Sequence, residues 1–140
     1  MTQLGDLALW IALLMAAGCT TLAVQGALLR RKALTESAAR GLQMALLFTL
    51  LAAGVLMAAF LDGDYALRYV ALHSGENVAA VYKVCAFWSG RTGLLLVASI
   101  ALAAAGLAGA RRAMYGDADR PRAAWVVAAH GAIVGATLAV

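Results

Sequence analysis

Residues 7–29 read LALWIALLMAAGCTTLAVQGALL, an unbroken apolar run with no Asp, Glu, Lys, Arg or His. At about 1.5 Å of rise per residue, a helix of this length crosses the roughly 30 Å hydrocarbon core of a bilayer. Two further runs lack Asp, Glu, Lys and Arg, Gly41 to Leu61 and Ala123 to Val140, the second carrying one histidine, His130. A fourth, from Val84 to Ala110, is broken near its start by Ser89-Gly90-Arg91-Thr92-Gly93. An unpaired arginine in mid-bilayer costs several kcal/mol, which predicts a spanning part that begins near Gly93, with Lys83 to Trp88 as an interfacial lead-in. The expected fold is an all-α integral membrane protein, one domain over residues 1–140, with about four transmembrane helices at 7–29, 41–61, 93–110 and 123–140.

Composition agrees with lipid as the solvent. With 64% hydrophobic and 13% charged residues, a chain of 140 has too little polar surface for a water-soluble domain. The net charge of +4 does not point to nucleic acid, because eight of the eleven basic residues fall in two short stretches between apolar runs. These are 30–40 (RRKALTESAAR) and 111–122 (RRAMYGDADRPR), and the positive-inside rule makes both of them cytoplasmic loops. Two crossings separate them, so the assignments agree. Both termini and a polar, aromatic external loop over 62–92 are then expected on the outer side.

The residues ahead of the first run include Asp6 and no Lys or Arg, unlike a secretory signal. Ala16-Ala17-Gly18-Cys19 has the outline of a lipoprotein cleavage box but lacks the basic leader and the leading leucine, so the segment is expected to stay in the mature protein. Gly131 and Gly135 form a G-x-x-x-G, and small residues crowd Ala103 to Ala110. Such faces let helices approach closely in lipid, where packing replaces the missing hydrophobic drive.

Few residues carry chemistry. Cys19 and Cys85 sit in apolar surroundings with no C-x-x-C and read as small packing residues. His130 lies inside the last apolar run, where an imidazole could ligate haem or relay protons, although a neutral ring bonded to a neighbouring helix is the simpler reading. His73, near Glu76, could in principle ligate metal or haem; no second ligand stands at useful spacing, which favours a solvated or capping role. Tyr65, Tyr69, Tyr82, Phe87 and Trp88 gather at the outer boundary, as an aromatic belt would. Asp62 and Asp64 have no evident acid/base partner. With no G-x-S-x-G, P-loop or dinucleotide fingerprint, no catalytic residue and no metal site are assigned.

The stretch from Asp64 to Leu96 resembles the first large periplasmic loop of the cytochrome c haem lyase CcmF and its nitrite-reductase-associated relatives. The matching residues are Asp64, Tyr65, Tyr69, Val70, Ala71, Ser74, Tyr82, Lys83, Trp88 and Gly93 with the leucines after it. The order and spacing of the flanking helices from Gly5 onward extend the resemblance over nearly the whole chain. It departs from the family where Arg91-Thr92 replaces a His-Glu pair, where Leu94 replaces a serine, and where the closing tryptophan is missing. The tryptophan-rich haem-handling segment and its histidine ligands lie beyond the region of likeness, so neither His73 nor His130 inherits a haem role.

The resemblance implies a non-catalytic amino-terminal piece of a haem lyase in the bacterial inner membrane. Such a piece would brace the haem-bearing part while haem is joined to apocytochrome c. It implies no cofactor on this chain alone and haem in the assembled complex. The implied partners are membrane lipid, the remaining lyase part with the tryptophan-rich segment, a haem chaperone and apocytochrome c. Two other readings stand beside it: a structural helical subunit of another respiratory or electron-transfer complex, and half of a small transporter. The two halves of the chain show no convincing internal similarity, which weighs against the transporter.

Overall fold

In the computed structural model, which describes residues 2–75, 78–115 and 120–139, the chain is all-helical. Its helices are α1 (Thr2–Leu28), α2 (Lys32–Asp62), α3 (Arg68–His73), α4 (Ala80–Ser89), α5 (Arg91–Tyr115) and α6 (Arg120–Leu138). Three of them are long and apolar enough to cross a membrane, judged by length and composition: Gln3–Leu28, Lys32–Asp62 and Arg91–Met114. The apolar stretch of α6, Arg122–Leu138, is shorter.

The four long helices run up and down in sequence. A tight turn at Leu29–Arg31, with Arg30 at φ 51°, reverses the chain between α1 and α2. Gly5 then lies against Val55, Cys19 against Gly41 and Gly26 against Thr35, one antiparallel register held along the whole pair. The same logic sets α5 against α6, where Gly106 meets His130, Gly109 meets Val126 and Ser99 meets Thr137. Helix α6 also lies on α1, with Gly131 against Cys19 and Thr20 and Gly135 against Ala16. Consequently Arg30, Arg31, Lys32 and Arg40 share one end of the bundle with Arg111 and Arg112, and the acidic residues Asp6, Asp62 and Asp64 share the other.

Small side chains make the core. Ala8, Ala12, Ala16, Cys19 and Ala23 recur every three or four residues on α1 and are all buried, so that one face of the helix is a smooth groove. Ala38, Leu42, Ala45, Thr49 and Ala52 of α2 seat into it, and Ala103, Ala110, Val127, Ala128 and Val134 complete the core from α5 and α6. Gly41 shows how tight the packing is, since a Cβ there would stand 2.9 Å from the Cβ of Cys19. The large apolar side chains point the other way: Leu7, Trp10, Leu14, Leu47, Leu51, Leu94, Trp125 and Ile133 are exposed. This inside-out arrangement is costly in water and favourable in hydrocarbon.

Polar groups inside the bundle are satisfied locally. Thr49 donates to the carbonyl of Ala45 at 2.7 Å, and Thr20 to that of Ala16 at 2.8 Å. The Ser99 and Thr137 hydroxyls lie 2.7 Å apart, and each is also within reach of a carbonyl of its own helix. Each hydroxyl has one proton, so one donates across the α5–α6 interface while the other donates to its own backbone.

Two expected connections turn out to be helical. Residues 32–40, read as a polar loop, are the first turns of α2, favoured by the helix formers of KALTESAAR and an i,i+4 ion pair between Lys32 and Glu36 at 3.3 Å. The apolar run marks where lipid could begin; the helix itself starts two turns earlier. Likewise α1 reaches back to Thr2 and α5 runs from Arg91 to Tyr115, beyond the 93–110 apolar run. The 62–92 stretch contains α3 and α4 rather than an irregular loop. Glu76 and residues 116–119 lie outside the described residues.

Candidate functional site

The residues with the most specific geometry gather where α2 ends and α5 begins. Helix α2 stops at Gly63, whose left-handed φ of 70° suits glycine, and its N–H bonds back to the Ala59 carbonyl. Asp64 continues the turn, its N–H bonding to Ala59 O at 3.0 Å and its carboxylate accepting from the Ala66 N–H at 3.3 Å. From the far side Lys83 reaches over and donates to the Leu61 carbonyl at 3.3 Å, a cation at the negative end of α2.

Tyr69 is the centre of this region. Its hydroxyl donates to the carbonyl of Phe87 at 3.1 Å and accepts from the N–H of Gly93 at 3.2 Å. Phe87 lies in the last turn of α4 and Gly93 in the first turn of α5, positions whose carbonyl and N–H have no partner within their own helix. One phenol therefore satisfies both sides of the break at Gly90, where the backbone is extended at φ −94° and ψ 154°. Neither glycine of the break tolerates a side chain: a Cβ at Gly90 would overlap the Tyr69 phenol, and one at Gly93 the Phe87 carbonyl.

Aromatic edges hold the tyrosine in place. Phe60, fully buried, meets Tyr69 edge-on at 5.5 Å between centroids and Phe87 at 6.3 Å. Val70, Phe87, Leu96 and Ala59 close a small second core around them. Beneath Tyr69 and Thr92, a cleft of about 180 Å³ opens between α1, α2 and α5, with Gly5, Leu9, Val55 and Leu67 among its walls.

The family-like residues divide into two groups. Asp64, Tyr65, Tyr69, Val70, Lys83 and Gly93 converge here, whereas Ala71, Tyr82 and Trp88 are exposed, Tyr82 at 69% and Trp88 at 51%. The Ser74 hydroxyl is buried without a hydrogen-bond partner. Phe60, Phe87 and Gly90 are as central as any matched residue. Phe60 carried one weak signal, as an aromatic that ends a run of Ala, Leu and Met. Of the two cysteines, Cys19 is buried in the main core and Cys85 is exposed.

The histidines are kept apart. His73 stacks on Tyr69 at 4.6 Å between centroids, and its Nδ1 lies 3.0 Å from the Tyr69 carbonyl. His130 lies over Gly106, roughly 20 Å along α5 from Arg91, with Nδ1 2.8 Å from the carbonyl of Val126 one turn back. A carbonyl only accepts, so in each contact Nδ1 is the donor. Gly131 and Gly135, on the other side of α6, face α1 rather than the histidine's neighbour α5. Among the described residues no three His, Cys, Asp or Glu side chains are grouped to hold a metal ion.

The class these observations define is a helical bundle with three helices capable of crossing a membrane and a short two-helix cap, α3 and α4, stitched onto one end. No family model, no curated protein and no solved structure matches the chain.

Proposed function

We propose that the chain is the amino-terminal membrane part of a CcmF-like haem lyase in a bacterial inner membrane. It spans the bilayer four times, with both termini and the α3–α4 cap on the periplasmic side. Reading α6 as the fourth crossing is supported by its packing on α1 and α5 from Val126 to Thr137 and by a cleft that Leu138 shares with Trp10. Placing the basic end in the cytoplasm satisfies the positive-inside rule for both clusters at once.

The observation that carries the lyase reading is the convergence on Tyr69. Six of the residues that resemble the family, Asp64, Tyr65, Tyr69, Val70, Lys83 and Gly93, support this reading by serving one structural purpose: they fasten a short helical cap to the end of the bundle. A rigid cap of this kind braces a neighbouring haem-bearing part, and the outward face of α4, with Val81, Tyr82 and Trp88, is the surface offered to it. The chain holds no haem by itself, and His73 and His130 serve packing and backbone hydrogen bonding. Haem enters with the partner that carries the tryptophan-rich segment, and the haem chaperone and apocytochrome c meet the assembly rather than this piece alone.

Purification of the tagged chain in a gentle detergent tests this reading. The expected outcome is co-purification of a polytopic tryptophan- and histidine-rich protein, a haem absorption band in the complex and none in the isolated chain. A stoichiometric haem on the isolated chain would overturn the assignment of the two histidines. Recovery instead with respiratory subunits would favour the structural-subunit reading, which the alanine-rich packing faces equally accommodate.

A further inference from the structure

At the opposite end of the bundle, α2 and α5 diverge around a cleft of about 260 Å³, several times the roughly 30 Å³ of a water molecule in the liquid. Two helical stripes face each other across it: Glu36, Arg40 and Gln43 from α2, and Leu107, Arg111 and Met114 from α5. Glu36 is engaged by Lys32 at 3.3 Å, whereas Arg40 and Arg111 have no ion-pair partner among the described residues. Two arginines and a primary amide thus line one concavity, with Ala39, Leu107 and Met114 between them and the Glu36 carboxylate held by Lys32, and guanidiniums with an amide are a donor set suited to a phosphate group.

The position of the cleft selects the source of that phosphate. Arg40 and Arg111 are the residues immediately outside the uncharged runs that begin at Gly41 and end at Ala110, so both stand where a hydrocarbon core would give way to headgroups. Above Arg40, on the same face of α2 at helical spacing, Met44, Leu47 and Leu51 are all exposed. An acyl chain can lie along that stripe while its phosphate sits between the arginines. A free phosphate would make no use of it.

We propose that this cleft is a binding site for one anionic phospholipid, with Arg40 and Arg111 holding the phosphodiester, Gln43 donating a further hydrogen bond and the Met44–Leu47–Leu51 stripe carrying a chain. The proposal rests on α2 and α5 crossing a membrane and on the residues of the cleft, and it stands whatever complex the protein joins.

The test is native mass spectrometry of the whole chain in mild detergent, with phosphatidylglycerol and phosphatidylcholine of identical acyl chains. Wild-type protein should retain one phosphatidylglycerol in preference to phosphatidylcholine. The R40Q/R111Q pair should lower that preference roughly thirtyfold, about fivefold for each arginine. Gln43→Glu keeps both arginines, adds a carboxylate to the cleft and should also weaken retention. The pair R31Q/R112Q removes the same charge outside the cleft and should have a smaller effect. Equal losses in both double variants would replace the site with a diffuse basic surface, and displacement of the lipid by millimolar inorganic phosphate would refute the lipid as occupant. Should R40Q/R111Q fail to fold, unaltered retention by Gln43→Glu still refutes the proposal.

Discussion

Replacing Tyr69 by phenylalanine isolates the bridge across the Gly90 break. The ring keeps its edge contact with Phe60, and only the hydroxyl is lost. That deletion strands the carbonyl of Phe87 and the N–H of Gly93, both terminal groups of their helices. Leaving a buried backbone group unpaired costs about 1–3 kcal/mol; the site is half-buried and both bonds exceed 3 Å, so the lower part of the range applies, about 1–2 kcal/mol in total. If that energy holds the first turn of α5 closed, the Gly93 amide should exchange with deuterium roughly five to thirty times faster in Tyr69→Phe. Amides in the middle of α5, such as that of Leu102, should not change. Hydrogen exchange in a lipid nanodisc reads both at once. If the Gly93 amide accelerates no more than that of Leu102, the phenol is not the clasp described here, and the cap is held by aromatic packing alone.

Two further substitutions probe the bundle and its orientation. Gly131→Leu should destabilise the chain by about 1–3 kcal/mol or more in detergent-titrated unfolding, because even a Cβ there lies 2.6 Å from Thr20 Oγ1 and 2.8 Å from Cys19 Sγ; the exposed Ile133→Ala should stay within about 0.5 kcal/mol. In a Cys85→Ser background, a cysteine replacing exposed Ala66 should react with an impermeant maleimide in intact cells, while one replacing exposed Ala33 should react only after permeabilisation. The reverse pattern would invert the proposed topology and remove the periplasmic cap on which the lyase reading rests.

The long helices were legible because lipid makes a simple demand: a run such as 7–29 needs only to be long and uncharged. Their boundaries were less so, since charge marks where lipid could end and says nothing of where a helix ends; Lys32 to Arg40 is charged, amphipathic and helical. The break at Gly90 was visible as Ser-Gly-Arg-Thr-Gly, but the clasp was not, because no local pattern pairs Tyr69 with residues 18 and 24 positions away. The packing face of α1 was also missed. Its Ala8-Ala12-Ala16-Cys19-Ala23 spacing is as regular as the Gly131–Gly135 motif, but alanine is so common in this chain that periodicity alone did not single it out.

That alanine face bears on why the cap needs a clasp at all. Helices α1, α2, α5 and α6 are held by close approach over long interfaces of small residues, the device that serves where burying apolar surface gains little, as in lipid. Helices α3 and α4 are too short to use this device, with six and ten residues. They are fixed instead by discrete contacts: a phenol across a helix break, a lysine on a helix end and the Phe60–Tyr69–Phe87 aromatic cluster. Contacts of that kind hold an angle in a way that a sliding alanine interface does not. Under the proposed lyase reading the bundle anchors and the clasp positions the cap, which makes the residues between Phe60 and Gly93 the ones to probe by substitution.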